Sequence, residues 1–413
     1  MTLAARNSVP ARTRWKTFSA APHRMMFFGG TVQLVAVMLF WGVELAARYG
    51  GIGVPLQTGV PTTWAHAFLM LYALFPFFMF GFLMTTYPRW MGGALIPERS
   101  YAGAFLLLAS GVVLFYAGLF LGVRVAAIGT LLLLAGWGVG LTALLRVFRH
   151  APTDDKYYER ILNAALGAGW LGGLSYLVWL MSEDGFYLNL AIRGGVWLFL
   201  VPVLVAVSHR MIPYFSRCVL DNYREIRPGW SLPLLGVGVA GHFALETAGV
   251  VRWLFLFDVP LFLLGVHHTV RWSFRRSFQV PLLAVLHIAF LWFAVAMALY
   301  SVQSVTFLLT GQYILGKAPL HALGIGFIAG MVIAMATRVT LGHSGRALAL
   351  DGYTWACFLG VNGAALVRVA AELSAAAAQL NLVAAVLWLV AVTAWALRYG
   401  PMYLRPRVDG KPG

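Results

Sequence analysis

Long apolar runs separated by short basic ones repeat along almost the entire chain. Each run is long enough to cross a bilayer as one helix, which takes about 20 residues. The pattern predicts twelve spans, at 26–47, 64–88, 101–121, 125–147, 160–181, 189–208, 232–250, 253–271, 280–300, 318–338, 353–373 and 379–398. The expected fold class is therefore an all-α, polytopic integral membrane protein. Its organisation is a basic N-terminal arm over 1–25, a membrane domain over 26–398 and a tail over 399–413. The turns Gly122–Arg124 and Val251–Arg252 are so short that the helices they join must be antiparallel neighbours.

Charge orients the set. The arm, the alternate loops and the tail carry 24 Lys and Arg, and the other loops carry only Arg48, Arg124, Arg252 and Lys317. By the positive-inside rule both termini lie on the cytoplasmic side of a bacterial inner membrane. The apolar run after the arm is longer than a signal-peptide core and has no small-residue cleavage site, so it is expected to be retained as the first helix.

Composition agrees. Of the 413 residues, 61% are hydrophobic and 11% charged, with a mean hydropathy of +0.79. Soluble domains carry about a quarter charged residues. The net charge of +16 does not indicate nucleic-acid binding, because the basic residues fall between apolar runs and form no continuous face. Cys218 and Cys357 make neither a CxxC pair nor a CxxCH haem-attachment site. Phosphate-binding loops, nucleophile elbows and HExxH motifs are absent as well.

The second, sixth and tenth spans end alike, in Thr85–Arg89, Ser208–Arg210 and Thr337–Arg338. A recurrence every fourth helix is what three four-helix units would give. The chemistry is then sought among ionisable residues at membrane depth, which cost about 2.5–3.5 kcal/mol when charged. His66 opens the second span and His321 the tenth, both at the outer face. His242 is mid-span in the seventh with Glu246 one turn on, and His287 lies in the inner half of the ninth. Arg193 and Arg368 fall in the outer halves of their spans, beside Glu44, Glu246, Asp258 and Glu372. Such charges commonly pair with one another or snorkel to the interface. As a set they also suit a polar site in the outer leaflet, with histidines as ligands and arginines facing an anionic group. Imidazole serves iron and copper alike, and the spacing fits haem, copper or a proton relay equally.

Three stretches carry a resemblance to a known family. Trp64–Gly92 is similar to a WHAHE-type helix ending in GFLLTAVPNWTG. His209–Leu220, HRMIPYFSRCVL, is similar to a GRVIPFFTR turn. His321–Arg346, with its TRVTLGHSGR ending, is similar to HALTVGAIGGMTLAMMTRVSLGHTGR. These resemble the NnrS family, membrane proteins linked to nitric oxide in denitrifying bacteria and described as haem- and copper-containing. One departure stands out: Phe68 and Leu69 occupy the places of the family's second histidine and its acid, leaving His66 alone of three. Of the two cofactors, copper is the one this departure affects more. A more distant architectural similarity connects the chain to the catalytic subunits of haem–copper oxidases and nitric oxide reductases. However, the sixth span lacks a mid-membrane histidine and the seventh lacks a histidine pair.

The resemblance implies haem b in the outer half of the bundle, a role in nitric oxide metabolism or protection against nitrosative stress, and nitric oxide or another diatomic as ligand. His66 and His321 are then the expected iron ligands, with His242 and His287 as second choices and His66, His321 and His242 as metal candidates. Arg193 and Arg368 are the expected propionate partners. The two histidines lie within about one turn of each other counted from the outer helix ends. Counted from Arg89 and Arg338 they differ by six residues, roughly 9 Å of helix, so the outer register is expected to hold. At the cytoplasmic face, Arg210, Pro213, Arg217, Arg338, Gly342, His343, Gly345 and Arg346 form a signature expected to lock the sixth and tenth helices together. The competing reading is a cofactor-free transporter or channel for a small anionic solute, which calls for helices with unwound centres.

Overall fold

The computed structural model describes residues 11–410, which hold no strand. After a short helix, Ala11–Phe18, come the twelve helices of the bundle. In chain order they are Pro22–Gly50, Thr62–Trp90, Glu98–Leu121, Val123–His150, Tyr157–Ser182, Gly185–Val219, Ser231–Thr247, Val251–Arg271, Pro281–Thr310, Ala318–His343, Gly352–Ala371 and Ala377–Leu404. Eleven are long and apolar enough to cross a membrane. The seventh has 17 residues, roughly 25 Å of helix, and falls short of that length. The expected arm and tail lie partly outside the described residues, at 1–10 and 411–413.

Burial separates a centre from a rim. The most apolar stretches of the second, sixth, ninth and tenth helices are 89%, 72%, 72% and 78% buried, against 33–50% for the other spans. Rim helices turn Val113, Leu171, Leu263 and Leu397 outward, as a lipid-facing surface requires. Three hairpins recur along the chain: the third with the fourth helix, the seventh with the eighth, and the eleventh with the twelfth. The first of these is the closest. A Cβ on Gly118 would stand 2.1 Å from the Ala126 backbone nitrogen, and one on Gly129 would stand 2.5 Å from that of Phe115. Small residues here let two backbones touch, which is how helices associate where lipid removes the hydrophobic drive.

The fourfold-helix recurrence has a second mark. The second, sixth and tenth helices each open into π-helical turns, at Leu69–Leu74, Gly195–Leu200 and Ala322–Ala329. No other described helix does so. Such turns accommodate extra residues without breaking the helix, and they are frequent at functional sites. All three helices remain continuous, so none has the unwound centre expected of a transporter. Toward the arginine-rich end, the same three helices and Phe27 of the first line a half-open cavity of about 40 Å³. Its walls include Phe78, Phe82, Val203, Val207, Val332 and Met335, and every lining residue is apolar.

Candidate functional site

His66, Arg193 and His321 occupy matching places. They precede the π turns of their helices by three, two and one residues respectively. Counted from these turns, the three positions differ by no more than two residues.

The structure brings His66 and His321 to the same end of the bundle, where the charges of Lys317 and Arg368 reach both imidazoles. His321 donates its Nδ1–H to the Lys317 carbonyl, 2.9 Å away. That bond fixes the tautomer and leaves the Nε2 lone pair for a ligand, the usual arrangement of a metal-binding histidine. The His66 ring stacks on Trp41 of the first helix, with centroids 4.4 Å apart and planes 13° from parallel. Its Nδ1 is buried without a partner. Trp41 is itself placed by a polar knot: Glu44 pairs with Arg48 at 2.5 Å and accepts from the Leu56 amide at 2.8 Å, while Arg48 lies over the Trp41 ring. Glu44 also bonds Thr62, which opens the second helix. Beside His321, a Cβ on Gly324 would meet nothing, whereas Gly326 lies tight against Trp292. One flank of the tenth helix is open there and the other is packed.

Arg193 does not join this pair. It lies 4.0 Å from Glu246 in a second cluster built around His242. The fully buried His242 donates Nδ1–H to the equally buried Asp258 at 2.5 Å, and its Nε2 lies 3.6 Å from Glu246. Trp197, in the π turn of the sixth helix, donates to Glu246 at 3.0 Å, and Tyr300 meets His242 edge-on. Spacing alone marks the His242–Glu246 face, whereas its partners come from the sixth, eighth and ninth helices. His287 stands apart from both clusters. Ser216 gives its hydroxyl proton to the Ile212 carbonyl, so His287 Nε2, 3.4 Å away, acts as the donor to Ser216 Oγ. Among the described residues no three His, Cys, Asp or Glu side chains are grouped as metal ligands.

Phe68, where the family pattern has a histidine, is fully buried between Phe115 and Tyr176, with centroids 4.4 Å away on each side. Leu69 is fully buried as well. The Phe68 position is thus the middle of a three-ring aromatic stack. Lys317 and Trp41 were not among the sequence candidates, although Lys317 precedes His321 by the four residues that place both on one face.

At the arginine-rich end the signature has several partners. Arg338 places its guanidinium 3.9 Å over the Phe215 ring, joining the tenth helix to the sixth. Arg210 instead pairs with Glu159 of the fifth helix at 2.8 Å and lies over Trp90 of the second. Arg217 pairs with Glu225 at 2.9 Å, within the loop that follows its own helix. Pro213 is buried inside the sixth helix. The turn Gly342–Arg346 is held by the tail: the Val408 amide donates to the Ser344 carbonyl and Arg407 to that of His343, each at 3.0 Å. Gly345 adopts φ +75°, and Asp409 sits where a side chain would otherwise project.

Residues 17–407 match the family model described as NnrS protein. The chain belongs to the NnrS family. No curated relative matches it. The match takes in all twelve bundle helices and ends at Arg407, the tail residue that donates to the His343 carbonyl.

Proposed function

We propose that this NnrS-family protein holds haem b at the end of the bundle where His66 and His321 lie, and serves in nitric oxide metabolism or protection against nitrosative stress. One observation carries the haem reading: two histidines on corresponding helices, one with its tautomer fixed by Lys317 and the other with an unpartnered buried nitrogen. The donor set fits the group. His66 and His321 would hold the iron and Lys317 would face a propionate, while Arg193 is engaged by Glu246 and Arg368 by Glu372, at 2.6 Å. A bound haem supplies an iron centre for a diatomic ligand or for electron transfer. The residues of this chain orient the imidazoles, through Trp41 and the Lys317 carbonyl, and leave a flank open at Gly324. Copper, the family's other described metal, would need ligands beyond His66 on the second helix, where Phe68 and Leu69 stand. The charge asymmetry supports a bacterial inner-membrane location with the arginine-rich end in the cytoplasm.

The test is the visible spectrum of protein purified from haem-sufficient cells, wild type beside His66→Ala and His321→Ala. Wild type is expected to show a Soret band and low-spin features, lost in both variants although they still insert. A wild type without a Soret band ends the haem reading. A bis-histidine spectrum retained in either variant moves the ligand role to His242 or His287.

A further inference from the structure

At the arginine-rich end, far along the bundle from His66 and His321, three arginines and two histidines converge from four parts of the chain. His23 and Arg24 open the first helix, Arg89 ends the second, His343 ends the tenth, and Arg407 arrives with the tail. The His23 and His343 rings lie with centroids 4.5 Å apart, and Arg89 Nη1 is 3.5 Å from His343 Nε2. The positive-inside rule accounts for arginines in loops, where water solvates them. It does not account for burial. His23 and Arg24 are each only 3% exposed, and His23 Nδ1 and Arg24 Nε have no partner. The terminal nitrogen Nη2 of Arg24 is satisfied by the Arg405 carbonyl, a neutral acceptor.

Buried cations require an opposite charge or pay heavily in desolvation. Arg24, the buried guanidinium of the set, has a backbone carbonyl as its hydrogen-bond acceptor and Arg407 as a charged neighbour. Asp409 approaches the set and is held by Arg407 through two bonds, of 2.9 and 2.6 Å. The first helix adds to the positive potential, because its first turn carries no acid and its His23 amide is capped only by the neutral Thr85 hydroxyl, at 3.2 Å. The floor of the cluster is therefore buried, with Arg24 as its cation and the His23 and His343 imidazoles beside it, while Arg89 stands exposed at the mouth.

We propose that this cluster is a binding site for a phosphate group, closed on one side by the C-terminal tail. Guanidinium groups and imidazole N–H donors match the several acceptor oxygens of a phosphate, and the helix start adds its own partial positive charge. The phosphate arrives either as a free inorganic anion from the aqueous side or as the headgroup of an anionic lipid in the adjacent leaflet. The site neither uses the haem-site residues nor depends on that assignment.

The test uses the full-length purified protein in two arms. In delipidated detergent micelles, thermal unfolding is followed as sodium phosphate replaces sodium chloride at constant ionic strength. In nanodiscs, phosphatidylglycerol is compared with phosphatidylcholine. The proposal expects a rise in unfolding midpoint in at least one arm. Stabilisation by free phosphate in micelles assigns the site to a soluble anion, and stabilisation by phosphatidylglycerol alone assigns it to a lipid headgroup. Arg89→Gln, at the exposed mouth, is expected to weaken the effect about tenfold, the loss of one charge-assisted hydrogen bond. His23→Gln is expected to do the same from the floor. Arg149→Gln, an exposed arginine elsewhere on this end, should leave the response unchanged. No response in either arm overturns the proposal, as does a response that Arg149→Gln reduces as much as Arg89→Gln does.

Discussion

The indole of Trp197 lies against the imidazole of His242, with ring centroids 3.6 Å apart and planes 31° from parallel. Trp197 belongs to the π turn of the sixth helix and His242 to the middle of the seventh, and the indole N–H reaches past the histidine to Glu246. The contact closes a chain from Arg193 through Glu246 and His242 to Asp258, with Trp197 and Tyr300 against the buried histidine. Removing one member of a buried charged pair strands the other, which costs about 3–5 kcal/mol. Asp258→Ala should therefore lower the unfolding midpoint sharply in detergent. Combining it with His242→Ala should cost less than the two single losses added together. Strict additivity would show that the groups do not act as a unit.

Glycine contacts in the third and fourth helices give a contrast that can be measured. At Gly118 an added methyl group meets the backbone of Ala126, which cannot rotate away, whereas at Gly103 it meets nothing within 4 Å. Gly118→Ala should separate the two helices and cost about 1–3 kcal/mol, the usual range for overpacking. Gly103→Ala should change stability by less than about 1 kcal/mol, or raise it slightly through helix propensity. Equal unfolding midpoints for the two variants would mean that the backbones do not touch.

Arg338 and Phe215 tie the tenth helix to the sixth through a stacked cation, and Arg338 is only 8% exposed. A desolvated cation–π contact is worth about 2 kcal/mol, more than its exposed counterpart. Phe215→Leu preserves apolar volume but removes the ring face, and should lower the unfolding midpoint in detergent. In an Arg338→Met background the same change should cost distinctly less. A Phe215→Leu loss of equal size in both backgrounds would assign the contact to packing alone.

Much of this arrangement is legible in the chain because period and charge are local properties. The apolar runs locate eleven spans, and the shared endings at Arg89, Arg210 and Arg338 pick out the three helices that carry π turns. The seventh helix stops at Thr247, because Ala248–Val250 turn the chain before the expected length is reached. What the sequence withholds is pairing across helices. His242 and Glu246 announce themselves by spacing, but Asp258 and Trp197 reach them only through packing. Likewise Arg193 shares the register of His321 yet turns to Glu246, because a carboxylate on the neighbouring seventh helix captures it. The signature at Arg338–Arg346 reads as a lock between two helices, and its Arg338 does join the tenth to the sixth. Its HSG turn is a dock for the tail, separated from it by more than 60 residues.

Asp351 caps the eleventh helix outside the membrane-spanning segments, and it gives a pH dependence with a definite sign. Its Oδ1 accepts from the Thr354 amide at 3.0 Å and the Thr354 hydroxyl at 2.8 Å, and its other oxygen pairs with Arg398. Partial burial pushes the carboxyl up, but the Thr354 hydrogen bonds and the Arg398 charge outweigh that and hold it below its ordinary value. A carboxyl whose folded value lies below its unfolded one, near 4, stabilises fully above the unfolded value. The stabilisation then falls away as pH drops through the folded value. Asp351→Ala should therefore cost about 1 kcal/mol at neutral pH, as the loss of an N-cap does. Its unfolding midpoint should converge on that of wild type as the solution is acidified below about pH 4. Asp351→Asn keeps the capping oxygen without the charge, so it should fall between the two at neutral pH and respond little to acid. A wild-type advantage over Asp351→Ala that stayed constant from neutral pH to the acid limit would mean that the carboxylate charge plays no part in the cap.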